Sequence, residues 1–305
     1  MPEVIRKALV ACTLSMALAP GAAHAGEAGT AGFLSLRLGA GARAAGMGDA
    51  FVALADDATA TYWNPAGLAA VERTQFTLMH DEWLQSVRME TASIAHATSL
   101  GNFGIHFSGM YLDEIERFEI ASSSPTGSFN VYEIAVTGAY GRRIADWDVG
   151  VGVKGLHTGL DDLSASGWAV DVGARYRTRI PGLTFAGAGQ NLGPEMKFVE
   201  ESFLLPATGR VGASYERAVP KLRGDIAGEF DLVWPTDGDV RQHVGLEYMY
   251  QRFASLRVGY KGNYDSQGLT FGLGVRKSGY HFDYAFSDIS NDLGHGHKFA
   301  FSVDL

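Results

Sequence analysis

Cysteine is nearly absent from this sequence, which has one, Cys12, among 305 residues. A single thiol excludes an internal disulfide framework and a cysteine-based metal site. Long apolar runs are lacking too: a membrane-spanning helix needs about 20 consecutive apolar residues, and the apolar run over residues 8–19 is shorter. The net charge of -9 argues against a nucleic-acid partner. These absences leave two classes, a soluble periplasmic β protein and an outer-membrane barrel.

The first residues have the pattern of a secretory signal. Arg6 and Lys7 precede the apolar run, and the small-residue motif Ala-His-Ala follows it at residues 23–25. We therefore expect residues 1–25 to be a signal peptide that is cleaved before Gly26. The alternative is a buried N-terminal helix.

From residue 74 onward the sequence alternates with a period of two, which places successive side chains on opposite faces of a strand. The last segment alternates apolar residues with polar or small ones: Phe299, Phe301, Val303 and Leu305 against Lys298, Ala300, Ser302 and Asp304. About fourteen such segments begin near Thr74, Val87, Asn102, Asn130, Trp147, Gly167, Leu183, Ala207, Leu222, Arg241, Ala254, Gly268, Gly279 and Gly296. Most are close to the ~9 to 11 residues of a tilted transmembrane strand. The sequence predicts an all-β fold, a transmembrane antiparallel β-barrel of about fourteen strands over residues 74–305.

The connections between these segments alternate in length and in charge. One set is short: residues 99–101, 143–145, 180–182, 218–220 and 277–278. The other set is longer and acidic: residues 112–129, 191–206 and 287–295. Outer-membrane barrels have short periplasmic turns and longer extracellular loops, so we expect the short set and both termini to be periplasmic. A secreted β-sandwich is the soluble alternative, but its strands average about 5 to 6 residues.

In such a barrel the apolar row of each strand faces lipid and the other row lines the interior. The candidate lumen residues are Asp171, Arg175, Asp225, Glu229, Glu247, Arg257, Lys261 and Arg276. An interior with so many charges differs from a pocket for hydrophobic molecules.

Residues 26–73 lack strand alternation, and we expect them to form a short, mainly helical plug inside the barrel. Asn64 followed by Pro65 is a suitable N-cap and first helical position, which predicts a helical turn over Pro65–Ala70. A second helix of small residues is predicted over Ala44–Ala55.

Four larger or charged side chains should fix this segment. Tyr62 and Trp63 are expected to reach polar lumen side chains with their O–H and N–H groups. Asp56 and Asp57 are expected to pair with interior arginines, for example Arg175 or Arg257.

Three spaced motifs lie within residues 41–68. Their residues are Gly41, Arg43, Gly46, Met47, Gly48, Asp49, Ala50 and Phe51, then Asp56 and Asp57, then Tyr62, Trp63, Asn64, Pro65, Ala66 and Gly67. This combination resembles the N-terminal signature of the PorV/PorQ family of outer-membrane proteins, and it is similar to the Asn-Pro-Ala box of the wider FadL-like group. The resemblance implies a fourteen-stranded barrel with an N-terminal plug in the bacterial outer membrane.

The resemblance also implies two alternative functions. PorV-like proteins take part in type IX secretion by capturing and shuttling secreted cargo, whereas FadL-like proteins move hydrophobic small molecules inward. The short chain and the charged interior favour the PorV/PorQ branch. The expected partners are outer-membrane lipid, secreted cargo or secretion-system proteins and, in the alternative, a hydrophobic ligand. The expected partner surface is the set of acidic long loops with Phe118, Phe129, Phe198 and Phe203.

An outer-membrane barrel enzyme is a third alternative. The sequence has no nucleophile motif of the Gly-x-Ser-x-Gly form. His295 and His297 have no third ligand nearby in sequence, which is typical of a solvated loop rather than a metal site. We therefore expect no catalytic residue, no metal and no cofactor.

Overall fold

The computed structural model describes residues 30–84, 87–118, 124–289 and 294–305. Within these ranges fourteen strands form a closed antiparallel barrel and two short strands form a separate hairpin, which confirms the predicted fold class. The strands are β1 Gln75–Glu82, β2 Arg88–His96, β3 Asn102–Arg117, β4 Gly127–Ile144, β5 Trp147–Leu160, β6 Leu163–Arg177, β7 Leu183–Leu192, β8 Met196–Phe198, β9 Glu201–Phe203, β10 Thr208–Val219, β11 Gly224–Pro235, β12 Arg241–Tyr250, β13 Ala254–Gly262, β14 Gln267–Lys277, β15 Tyr280–Ile289 and β16 Gly294–Asp304. The predicted signal peptide lies outside the described residues.

The barrel closes where the first wall strand meets the last. Strands that follow one another in the chain pair around the wall, and β7 pairs with β10 because the hairpin β8–β9 lies outside the barrel sheet. β1 pairs with β16 from Gln75 and Asp304 at one end to Glu82 and His297 at the other. Closure removes the unpaired sheet edge, which an apolar surrounding does not tolerate.

The outer face of the wall is apolar and the inner face is polar, which is the reverse of a soluble domain. On β14, Leu273 points outward and is 54% exposed, whereas Thr270 points inward and is 1% exposed. Phe282 and Phe299 on the next two strands are also exposed on the outside. An apolar exterior with a polar interior is the pattern of a wall that faces lipid.

The expected long loop over residues 112–129 is mostly strand, which corrects the sequence-based prediction. β3 continues to Arg117 and β4 begins at Gly127, with a register shift between Leu112 and Ile115. Strands that continue beyond the wall pair each other's N–H and C=O groups, which a loop would leave to water. The tip of this connection, residues 119–123, lies outside the described residues.

The barrel has two rims, which differ in the length of their connections. The long-loop rim has residues 118–126 and 193–207, and the second of these connections contains the hairpin β8–β9. The same rim also has a two-residue turn at 161–162, so the expected alternation in loop length is not strict. The short-turn rim has tight turns, for example at residues 145–146 and 278–279.

The helices within the described ranges are short. They are α1 Ala42–Gly46 and α2 Ala60–Trp63, with 3₁₀ helices at Leu34–Arg37, Pro65–Ala70 and Pro220–Leu222. The predicted helix over Ala44–Ala55 is wrong: the chain leaves α1 at Gly46 and turns through positive φ at Gly48 (68°) and Asp49 (58°). None of the helices in the described ranges is long and apolar enough to cross a membrane.

The N-terminal segment, residues 30–74, passes through the barrel from one rim to the other. Gly32 donates its N–H to the carbonyl of Leu204 at the long-loop rim, at 3.1 Å. At the short-turn rim Leu305 donates to the carbonyl of Thr74, at 2.8 Å. The first described residues therefore lie at the opposite rim from Leu305, and the N-terminus that was expected on the periplasmic side lies outside the described residues.

Candidate functional site

The interior of the barrel is the candidate site, because inward-facing carboxylates bind the backbone of the N-terminal segment there. Asp231 accepts from the N–H groups of Phe51 and Val52, at 3.0 and 3.2 Å. Glu229, two residues earlier on β11, accepts from Ala53 and Leu54, at 2.6 and 2.8 Å. Four consecutive backbone donors, which lie outside regular helix or strand, thus find acceptors on one wall strand.

The same arrangement recurs nearer the long-loop rim. Glu133 accepts from the N–H groups of Leu34 and Ser35, at 2.9 and 2.7 Å. These two residues begin a 3₁₀ helix whose first N–H groups have no partner within the helix. The carboxylate therefore caps the helix from the wall.

A buried ion-pair network surrounds Arg43 of α1. Its guanidinium contacts Glu247 through two N–H groups, at 3.0 and 3.2 Å, and Asp56 at 2.6 Å. Glu247 also accepts from Arg257, at 2.5 Å, and Arg257 donates to Asp283 at 2.6 Å. Buried charges of both signs are thereby paired, which offsets the cost of removing them from water.

Asp56 and Asp57 therefore pair within their own segment, and the expected partners Arg175 and Arg257 are wrong. Asp57 lies 3.7 Å from Arg43. Arg175 instead donates to the carbonyl of Ala55, at 2.9 Å.

A second charged contact joins Asp49 to Lys261 of β13. Close by, Lys298 donates to the carbonyl of Leu38 at 2.8 Å and to Asp81 at 2.5 Å. Wall cations thus bind the segment as wall carboxylates do.

Tyr62 and Trp63 are buried, but they bind their own segment rather than polar lumen side chains. The Tyr62 hydroxyl donates to the carbonyl of Leu36, at 2.9 Å, and Trp63 Nε1 donates to the carbonyl of Ala40, at 2.7 Å. The expectation that polar wall side chains accept hydrogen bonds from the Tyr62 O–H and the Trp63 N–H is wrong, because the segment folds back on itself and supplies its own carbonyls. The wall does stack on the Trp63 ring, with the Arg210 guanidinium 5.0 Å from its centroid.

The motif Asn64-Pro65 forms the predicted cap and fits against glycines of the wall. The Asn64 side chain accepts from the N–H of Ala66, at 3.1 Å, and its amide donates to the carbonyl of Val52, at 2.9 Å. A Cβ at Gly150 would lie 2.3 Å from Pro65, so only glycine permits this approach.

A similar approach occurs at Met47 and Gly48. A Cβ added to Gly259 would lie 2.1 Å from Gly48 N, and one added to Gly245 would lie 2.5 Å from Met47 O. Gly67 is also confined, since its Cβ would lie 2.1 Å from Ala55 O. Small residues on both sides thus let the backbone of the segment contact the backbone of the wall.

The candidate lumen residues lie on the inner face, but they do not form one cluster. Asp171 pairs with Lys154, at 2.9 Å, on the opposite side from the Glu247 network. Arg276 is partly buried, and Asp225 is exposed at the end of β11. Five further side chains bind the segment and were not predicted from the sequence: Asp231, Glu133, Asn102, Gln190 and Asp237. Asp231 could have been predicted, since it lies two residues after Glu229 and therefore on the same face of the strand.

The long-loop rim covers an apolar cluster. Met196, Leu205, Phe33 and Leu36 are buried together there, and Phe198 and Phe203 pack against them. The expectation of an exposed aromatic loop is therefore wrong for Phe198 and Phe203, whose rings stack 5.5 Å apart. Phe129 is half-buried, and Phe118 is exposed as expected.

No group of three or more potential metal ligands occurs in the part of the chain that the structure describes. His295 and His297 belong to strand β16 rather than to the expected loop. His297 Nδ1 lies 2.9 Å from the Tyr284 hydroxyl on the outer face of the wall.

Comparison with known proteins gives a shared fold and a family. The toluene transporter TodX of Pseudomonas putida is similar with a TM-score of 0.61 at 12% identity, over 87% of this chain and 97% of that one. A TodX deltaS2S3 mutant, a monoaromatic hydrocarbon channel, gives the same TM-score and identity over 88% and 99%. Such low identity shows a common fold and does not transfer a function.

No curated protein sequence matches the chain significantly. Residues 8–178 match the family described as "Uncharacterised protein family (UPF0164)". This match covers more than half of the 305 residues. The chain therefore belongs to the family UPF0164.

Proposed function

We propose that this protein is a bacterial outer-membrane barrel of the PorV/PorQ type, which binds secreted cargo or secretion-system proteins at its long-loop rim and does not conduct solutes. The proposal rests on the filled interior. Wall side chains hold the N-terminal segment by its backbone near the long-loop rim, at Glu133, and deeper in the barrel, at Glu229 and Asp231. A passage for solutes would need these contacts to break.

The residues of the predicted plug, 26–73, are proposed to keep the barrel closed. Trp63 and Phe51 of this segment are 0% exposed. Charged wall residues pair with Arg43 and Asp49 of the segment, so little of its surface is left to water. These features support a plug that is part of the folded core rather than a mobile gate.

The location in the outer membrane is supported by the apolar outer wall. We propose that lipid is the first partner of the protein and contacts residues such as Leu273, Phe271 and Leu269.

The long-loop rim offers apolar side chains to a protein partner. Val199 at the tip of the hairpin is 72% exposed, and Phe118 is 49% exposed. Leu163 and Leu204 on the same rim are exposed as well. Exposed apolar side chains grouped on one surface are typical of protein contacts.

A second candidate function is the inward movement of hydrophobic small molecules. The apolar cluster of Met196, Leu205, Phe33 and Leu36 favours it, because a hydrophobic ligand could replace these side chains beneath the hairpin. The barrel fold shared with hydrocarbon channels is compatible with this function.

Conductance and uptake separate the two candidates. Purified protein in planar bilayers should show no steady conductance, and proteoliposomes should accumulate a hydrophobic fluorescent tracer no faster than empty vesicles. Faster uptake by proteoliposomes would contradict the proposal and favour the transporter.

Cargo binding is tested at the rim itself. Val199→Asp and Leu204→Asp should reduce the amount of secreted proteins that co-purify with the barrel from its native cells, because an added charge opposes apolar contact. Leu100→Asp is the matched control, since Leu100 is 74% exposed on the short-turn rim. Equal recovery from all three variants would remove the long-loop rim from the binding surface.

A further inference from the structure

The outer wall has an apolar groove where the first and last strands meet. It extends across β14, β15, β16, β1 and β2 and has a volume of about 710 Å³. Leu78, Phe299 and Phe301 line it near the closure, and Leu273 lines one side. Its rings pack on one another, with Phe282 4.7 Å from Phe301 and Tyr284 5.1 Å from Phe299. The rings therefore support each other as a preformed surface.

An ionisable pair lies in this largely apolar groove. His80 Nδ1 of β1 lies 2.6 Å from Glu90 Oε1 of β2, and both residues line the groove. The His80 Nε2 atom lies 3.5 Å from Glu82, which is a second carboxylate on the same outer face. The Glu90 side chain is 51% exposed and the His80 side chain is 38% exposed, so the pair is open to a ligand.

The pair lies on the outer face of the wall, two residues from the long-loop end of β1. Ionisable side chains within membrane segments almost always face the protein interior, and each of them is a functional-site hypothesis by default. Two carboxylates accompany one imidazole here, so the polar end of the groove attracts a cation or a hydrogen-bond donor and repels an anion. The next charged pair along the strands, Arg88 and Asp113, lies 3.6 Å apart and is balanced.

We propose that this groove binds a small amphiphile whose apolar chain lies on the aromatic floor and whose cationic, amine-type head meets Glu90 and His80. The inference rests on the proposed outer-membrane location, since lipid surroundings deliver such a ligand to the wall. The volume falls in the range of about 300–1,000 Å³ of small-molecule sites. A second barrel would present a convex wall, which does not fill a concave groove.

The test compares two probes of equal chain length, dodecylamine and dodecanoate, by native mass spectrometry of the full barrel in a neutral maltoside detergent. Dodecylamine should bind once per barrel and at least about tenfold more tightly than dodecanoate, because a charge-assisted hydrogen bond contributes that much. Glu90→Gln should weaken dodecylamine about tenfold and leave dodecanoate unchanged or slightly tighter. Equal binding of the two probes to the unmodified protein would overturn the proposal.

Groove filling gives a second, independent variant. Leu78→Trp should weaken dodecylamine by obstructing the floor, whereas Val153→Trp, on the outer face of β5 away from the groove, should not. Equal effects of the two tryptophans would show binding to the wall in general and would overturn the proposal, as would a bound phospholipid that Glu90→Gln does not affect. Heat-modifiable gel migration of each variant reports barrel integrity separately, so a failure of the membrane location is distinguished from a failure of the groove.

Discussion

A Cβ on Gly173 would lie 1.9 Å from Oδ1 of Asn64, so these two residues fit together because residue 173 has no side chain. The contact joins the wall strand β6 to the cap of the Pro65–Ala70 helix. It makes the position of the segment dependent on a single missing methyl group.

Gly150→Ala should destabilise the barrel by about 1–3 kcal/mol, the usual cost of overpacking a tight contact. The added methyl would meet the backbone of Pro65 at 2.3 Å. Gly152→Ala on the same inward face is the matched control, because its Cβ would have its nearest neighbour at 3.4 Å. Urea unfolding of both variants checks this, and equal midpoints would contradict the close approach.

Loss of the carboxylates on β11 should loosen the segment. Glu229→Gln and Asp231→Asn each replace one acceptor oxygen with an amide NH2 group, which leaves a buried backbone N–H without its partner, and each should cost about 1–3 kcal/mol. Protease cleavage within residues 51–54 should become faster in folded protein. Asp225→Asn, at the exposed end of the same strand, should behave as the unmodified protein. Protection that is unchanged in both inner variants would show that these hydrogen bonds do not hold the segment.

Arg43 and Glu247 should be energetically coupled. Removing one buried partner leaves the other charge with fewer partners, so Arg43→Gln and Glu247→Gln should each destabilise the barrel. Together they should cost less than the sum, with a coupling energy of about 0.5–3 kcal/mol in a double-mutant cycle. Additive costs would mean that Arg257 alone satisfies Glu247.

A charge placed on the outer wall should destabilise the barrel, and more so the deeper it lies in the membrane. Leu273→Arg, near the middle of β14, should destabilise the barrel by about 2–4 kcal/mol, whereas Leu222→Arg at the short-turn rim should cost about 0–1 kcal/mol. Unfolding in lipid vesicles measures both. Equal costs would argue against lipid contact at Leu273.

Strand positions were accessible from the sequence because alternation is a local signal. The predicted starts at Trp147, Leu183 and Arg241 are those of β5, β7 and β12. The strand ends at the long-loop rim could not be predicted from the sequence. β3 and β4 continue there beyond the lipid, where no apolar face maintains the alternation. The Asn64 cap was also predictable, because it depends on two adjacent residues.

Most of the contacts inside the barrel could not be predicted from the sequence. Parity placed Glu229 inward, but nothing local indicates that its oxygens bind the N–H groups of Ala53 and Leu54, about 175 residues away. Arg43 was part of a motif, yet its pairing with Asp56 depends on a turn that the small-residue pattern did not predict. Contacts between distant segments require the fold itself.

The course of the N-terminal segment favours one order of folding. Its first described residues are bound at the long-loop rim through Gly32. Its end is bound at the short-turn rim through Thr74 and Leu305, so the closed wall surrounds the segment along its length. The connection from Thr74 into β1 makes the segment continuous with the seam between β1 and β16. If the barrel closed first, the segment, which carries the bulky Tyr62 and Trp63, would have to pass through the closed barrel from one rim to the other. Assembly is therefore simplest if the segment collects its wall contacts first and the seam closes last.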